Sequence, residues 1–258
     1  MKSRILLLIA IVTILAFAAM AWAELSAFDI AKKSLELDKA ATKTTLYQMT
    51  VINKRGKTKV YKFKVWEKDY PDGAKKLVRF LEPSDANGTG LLNFEKIGAD
   101  DLQWLFLPSL RKSRRLAAGD KDGEFMGSDL FYQDMETMTA EDYTHELLSQ
   151  AMLDGKQCYI VQSKPKPGIS SAYSFTKSWI ETGTFIGRKI EMYDKNGKLL
   201  KTMKAKKVEQ ITGIWTITSA EIVTEGKGKA KTKLDMVERQ YNSEVPDNYF
   251  TTQFLERF

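Results

Sequence analysis

From Thr44 to Tyr241 the chain repeats one pattern, apolar side chains at every second position in short segments cut by turn signals. A period of two sends successive side chains to opposite faces of a strand, so this pattern commits most of the chain to β-structure. Tyr47, Met49 and Val51 share one face, Lys54-Arg55-Gly56-Lys57 turns the chain, and Tyr61, Phe63 and Val65 return as the second arm of a hairpin. Strands are expected at 76–81, 91–96, 102–107 and 112–116, separated by Pro83, Asn87-Gly88, Gly98 and Pro108. A meander is expected at 157–163, 173–181, 184–193, 198–210, 213–225 and 229–241, with tight turns at Thr182-Gly183, Asn196-Gly197 and Gly226-Lys227-Gly228. Residues 144–153 fit neither period.

Helical spacing interrupts the strands in three places. Ser26 followed by Asp29 reads as an N-cap, with Phe28, Ala31 and Leu35 at helical intervals over 27–39. Residues 128–138 read as a short helix capped by Ser128, and Phe250, Phe254 and Phe258 suggest a terminal helix or capping segment. Many sequential strands with few helices leave a barrel or a strongly curved open sheet with helices over its concave face, and the first two helical segments favour the open sheet. A loosely filled concave side encloses an apolar cavity.

Lys2 and Arg4 precede an apolar run that ends at Ala21-Trp22-Ala23, the pattern of a secretory signal peptide over 1–23; an uncleaved anchor is the competing reading. Cleavage would lower the formal net charge of +7 by two and release a chain that is not an integral membrane protein. So modest a basic excess favours anionic surfaces without singling out nucleic acid, against which export argues. One cysteine, Cys158, excludes an internal disulfide, so stability must come from burial.

Nothing commits the chain to catalysis, a cofactor or a metal. With His145 and Cys158 the only residues of their kinds, no zinc-ligand set exists and no Cys-His or Ser-His pair is evident; a solvated His145 and a core Cys158 are expected. Ser174-Phe175-Thr176-Lys177 matches Ser-x-x-Lys, but on an alternating strand and without companion motifs. The basic run holding Arg111, Arg114 and Arg115 suits phosphate groups or an acidic partner, and equally a charged edge strand. Trp66, Phe80, Phe94, Trp104, Phe106, Tyr173, Phe175, Trp179 and Trp215 are spread over many strands and are the candidates for a cavity lining; alternation alone does not divide lining from filling.

One ordered set of motifs goes further: Val78-Arg79-Phe80-Leu81-Glu82-Pro83, Gly88-Thr89-Gly90-Leu91-Leu92, Trp104-Leu105-Phe106-Leu107-Pro108, Arg114-Arg115-Leu116, and Phe125-Met126-Gly127-Ser128-Asp129-Leu130-Phe131-Tyr132-Gln133-Asp134-Met135. In this order they resemble the uncharacterised exported branch of the outer-membrane lipoprotein-sorting (LolA-like) family. The resemblance implies a single domain over 24–258, an unclosed antiparallel β-barrel with helices over its concave face, holding acyl chains of a lipid or lipoprotein in the periplasm. It also implies a resistance-nodulation-division type inner-membrane transporter as partner. A carrier of this kind needs no catalytic group, since an acyl chain gains ~0.8 kcal/mol per buried methylene. Gly123 and Gly127 bracket the start of a candidate lid carrying Phe125, Met126, Leu130 and Phe131. A periplasmic sensor or adaptor of the same fold is the alternative.

Overall fold

The computed structural model describes residues 25–228 and 230–257, so the expected signal peptide lies outside the described residues. Helix α1 (Ala27–Leu35) opens the described chain where Ser26 Oγ accepts from the Asp29 amide at 3.1 Å, as the spacing predicts, and it ends at Leu35 rather than 39. Thirteen strands follow: β1 (Thr42–Ile52), β2 (Thr58–Lys68), β3 (Lys75–Glu82), β4 (Gly90–Phe94), β5 (Leu102–Leu107), β6 (Lys112–Leu116), β7 (Tyr143–Leu153), β8 (Lys156–Pro165), β9 (Phe175–Glu181), β10 (Gly187–Tyr193), β11 (Leu199–Ile211), β12 (Ile214–Thr224) and β13 (Lys231–Tyr241). Helix α2 (Thr252–Glu256) lies near the C-terminus. The segment 144–153, undecided by period, is strand β7.

All strands join one antiparallel sheet in the order β6-β5-β4-β3-β2-β1-β13-β12-β11-β10-β9-β8-β7, which is the expected unclosed barrel. Strands β1 and β13 meet in the middle, and the two free edges, β6 and β7, are consecutive in sequence. Residues 117–142 therefore carry the chain from one edge to the other. They do so across one face, and the sheet bends around them: Lys76 on β3 donates to the Met135 carbonyl at 3.3 Å while Lys201 on β11 reaches the adjacent Asp134 carboxylate at 3.2 Å. Those strands are five spacings apart, about 24 Å on a flat sheet. The face that holds this segment is the concave one.

The connecting segment is not the helix expected at 128–138. Ser128 makes a local turn instead, its hydroxyl donating to the Phe125 carbonyl at 2.6 Å and accepting from the Leu130 amide at 3.1 Å, and a single 3-10 turn forms at Gln133–Met135. The reason is competition: Asp134 Oδ2 accepts from the Phe131 amide at 2.7 Å, and Asp129 and Gln133 bond to groups outside the segment, so its polar groups are used locally and on the sheet rather than in helical bonds. Helical cover of the concave face thus comes from α1, whose Ile30 and Ala31 pack on Val161 and Ile180.

Both faces of β3–β5 are covered. On the concave side Met49, Phe63, Val65, Val78, Phe80, Leu91 and Leu105 pack against Phe125 and Leu130 of the connecting segment. On the convex side Leu77, Leu92 and Phe106 pack against Val245, Phe250 and Leu255. Arg79 secures this second layer, donating to the carbonyls of Gly88 (2.8 Å), Phe254 (3.1 Å) and Leu255 (2.8 Å). Gly90 permits it: a Cβ there would stand 2.6 Å from Leu255 Cδ1. A row of alternating charges closes one end of the concave face, with Lys43 3.4 Å and Lys76 3.8 Å from Glu67, and Arg239 paired to Asp38 at 2.5 Å.

Candidate ligand cavity and its plug

Under the β8–β12 half of the sheet the concave face is not filled. A cavity of about 250 Å³ remains between the connecting segment, helix α1 and the strands. Its walls are predominantly apolar: Val161, Ile180, Ile190, Met192, Met203 and Ile222 from the sheet, Ala31 and Leu35 from α1, and Leu130 and Met138 from the connecting segment. The register explains the wall, since Ile222 faces Met203, Met203 faces Ile190, and Ile190 faces Ser178 across successive strands. The other half of the concave face is filled by Phe125, fully buried, its ring 5.5 Å from a tilted Phe80 and 5.7 Å from an edge-on Tyr132.

The connecting segment plugs this face and is held by buried polar bonds. Asp134 Oδ1 accepts from the Tyr173 hydroxyl at 2.7 Å, and its Oδ2 faces Lys201. Asp129 accepts from Thr224 at 2.7 Å and from Thr232 at 2.9 Å. The Lys201 ammonium also sits 3.0 Å from the centroid of the Phe131 ring. Burial lowers the Lys201 pKa, with Asp134 opposing, and burial raises that of Tyr173, with Asp134 adding. Glu136, which lines the cavity, is pushed up to about 7 by burial against the pull of Lys121, whose ammonium lies 2.6 Å away. Lys121 also donates to the Asp101 carbonyl at 2.9 Å.

The overall fold is also that of known proteins. A family model described as that of an uncharacterised protein matches residues 72–257. The chain belongs to this family, and its fold is LolA-like. A putative outer-membrane lipoprotein-sorting protein domain from Vibrio parahaemolyticus superposes with a TM-score of 0.84 at 25% identity, covering 90% of this chain and 98% of that one. A DUF1329 family protein from Desulfovibrio piger ATCC 29098 superposes at 0.85 with 28% identity, covering 89% and 97%. A LolA superfamily protein from Nitrosomonas europaea shares the fold at a TM-score of 0.73 and 20% identity, over 90% and 100%. No curated protein sequence matches the chain.

Within this LolA-like frame the nine candidate aromatics separate. Tyr173 and Phe175 line the cavity, and Phe175 stacks on Tyr193 at 4.3 Å. Phe80 lies on the concave side but in the filled half, beneath Phe125. Trp66, Phe94, Trp104 and Phe106 belong to the convex layer under the C-terminal segment, Trp66 edge-on to Tyr249 at 5.5 Å and Phe94 to Trp104 at 5.0 Å. Trp179 stands under the Lys189 ammonium at 3.4 Å, and Trp215 is exposed on β12. Alternation places Trp104 and Phe106 on one face, as they are, but groups Trp179 with Tyr173 and Phe175, from which the cavity separates it; both faces of β3–β5 are covered, so aromatic content carries no mark of the cavity.

Of the candidate lid residues, Phe125 and Leu130 are buried plug residues, Met126 gives its carbonyl to the Tyr61 hydroxyl at 3.1 Å, and Phe131 stacks on Tyr173 at 6.0 Å. Gly127 has a φ of +69°, the left-handed conformation that favours glycine. Arg111, Arg114 and Arg115 are exposed around edge strand β6, away from the cavity lining; Arg114 pairs with Asp120 at 3.3 Å, and Arg115 borders a shallow depression with Asp100, Asp101 and Lys121. His145 is half-buried rather than solvated, its nitrogens bonded to Ser163 Oγ and the Ala140 carbonyl at 2.9 Å each, and Cys158 is buried. Ser174 donates to the Asp194 carbonyl at 2.5 Å, while Lys177 lies over the Phe175 and Tyr193 rings. Among the described residues no group of three or more His, Cys, Asp or Glu could hold a metal ion.

The sequence reading missed Asp129, Asp134, Glu136 and Lys201. One signal was present: Lys201 lies two residues before Met203 on the inward phase of its strand, where an unpaired lysine would be costly. Its partner lies 67 residues away, beyond any local spacing rule.

Proposed function

We propose that the protein is a periplasmic carrier that takes an acyl chain of a lipid or lipoprotein into the cavity beneath the plug and hands it between membrane components. The observation that carries this reading is the predominantly apolar cavity on the concave face, roofed by a single segment that is connected to the sheet at its two ends and by polar bonds between. Each methylene moved from water onto such a wall contributes ~0.8 kcal/mol, so a chain of moderate length supplies useful affinity without chemistry. The lipoprotein-sorting description of the Vibrio protein supports the choice of cargo. A resistance-nodulation-division type transporter is the membrane partner that the motif resemblance brings to this reading. Among the described residues no helix is long and apolar enough to cross a membrane.

Native mass spectrometry and lipid extraction on protein taken from the periplasm of its own organism test the proposal. A stoichiometric acyl lipid or acylated peptide is expected. Ser178→Trp, which projects an indole into the cavity from the middle of β9, should lose the cargo while keeping a cooperative unfolding transition. A protein that arrives empty and takes up no added lipid would overturn the carrier reading.

A further inference from the structure

The bonds that hold the plug share one polarity. On the sheet side stand Lys201, Thr224 and Thr232 from strands β11, β12 and β13, and Tyr173 from the segment entering β9. All are buried, and each donates to a carboxylate. On the plug side stand those carboxylates: Asp134 takes Tyr173 and Lys201, and Asp129 takes Thr224 and Thr232. Lys201 and Thr224 are cross-strand partners, and the charge of Asp129 also acts on Lys201, so the two carboxylates share one patch. The patch continues into the cavity wall, because Met192 faces Lys201 across β10 and β11 and, with Tyr173, Asp134, Met203 and Ile222, lines the cavity.

A fully buried lysine on an apolar wall is tolerable only with a counter-ion. Among the ion pairs of the described residues the counter-ion of Lys201 is Asp134, which belongs to the plug. If the plug lifts to admit cargo, Asp134, Asp129 and the Phe131 ring leave together, and the sheet is left with an ammonium and three hydroxyls at one end of an apolar cavity. That is a site for an anion with an attached hydrocarbon chain.

We propose, building on the carrier reading above, that the cargo is an amphiphile with an anionic carboxylate or phosphate head, and that this head replaces Asp134 and Asp129 on Lys201, Tyr173, Thr224 and Thr232 while the chain occupies the cavity. The plug's carboxylates are internal occupants of the headgroup site, and loading is an exchange of one anion for another. The exchange keeps Lys201 paired in both states. It also makes a neutral amphiphile a poor ligand, since it would leave the lysine without a partner.

The test compares dodecanoate, dodecyl phosphate and dodecanol, which share a chain and differ in the head, by displacement of a fluorescent fatty-acyl probe from the full chain at pH 8. The anions are expected to bind about ten-fold more tightly than dodecanol. Lys201→Met should bring all three to the dodecanol value, and Asp134→Asn, which weakens the internal competitor, should strengthen the anions selectively. Tyr173→Phe combined with Thr224→Val should reduce the preference even if Lys201→Met fails to fold. Preference for one anion over the other would assign the head as carboxylate or phosphate and support the site. Dodecanol binding as tightly as both anions, or a preference that survives Lys201→Met, would overturn the headgroup site and leave the carrier standing. Absence of binding by all three ligands and the probe would overturn both.

Discussion

Glu136 ties the plug to pH, and the sign can be worked out. Its side chain is 14% exposed, at the cavity end of the plug, with Lys121 as its ion-pair partner at 2.6 Å. Burial outweighs that pairing and raises the carboxyl from 4.5 to about 7. Between those two values the folded protein holds a proton that the unfolded chain has released. Stability therefore falls as pH rises: the contribution of the protonated carboxyl is fully present below about pH 4.5 and is lost as pH rises through about 7. At 1.36 kcal/mol per pKa unit the whole change is about 3 kcal/mol. Urea unfolding of the wild type and of Glu136→Gln at pH 4.5 and pH 8 isolates it, because groups common to both chains cancel in the difference. The wild type should lose about 3 kcal/mol relative to the glutamine variant over that interval. An equal change in both proteins would refute the argument and mean that Glu136 is ionised throughout, held by Lys121.

Three further substitutions probe the two covered faces. Phe125→Ala removes a fully buried ring between Phe80 and Tyr132 and should cost about 3–5 kcal/mol in urea unfolding; a loss under 1 kcal/mol would mean the plug is not part of the cooperative core. Gly90→Ala places a Cβ 2.6 Å from Leu255 Cδ1 and should cost about 1–3 kcal/mol, most of it recovered when Leu255→Ala is added; purely additive losses would contradict the contact. Arg79→Met deprives the Gly88, Phe254 and Leu255 carbonyls of their shared donor, and limited proteolysis should then cut around residues 247–257 first; an unchanged cleavage pattern would show that apolar packing alone holds the C-terminal segment.

Local spacing determined a good deal here. Alternation and turn residues located the hairpin of β1 and β2 and the strands from β3 to β6 and from β8 to β13, and Ser26 with Asp29 marked the first helix, because strand period, turns and caps are set by residues a few positions apart. The ordered motifs pointed to the open LolA-like half-barrel, and the structure supplies physical work for them: Arg79 and Gly90 seat the C-terminal segment, while Asp129 and Asp134 pin the plug. Tertiary structure alone decided which concave half is filled and which is hollow. Trp104 and Phe80 have the same apolar character in sequence, yet one lies under the C-terminal segment and the other under Phe125. The helix expected at 128–138 gave way for the same reason, its carboxylates finding donors on strands 67 to 103 residues distant. Period and capping describe the chain along itself; the cavity and its anion-lined plug arise only when the sheet bends and brings β3 and β11 to adjacent residues of one segment.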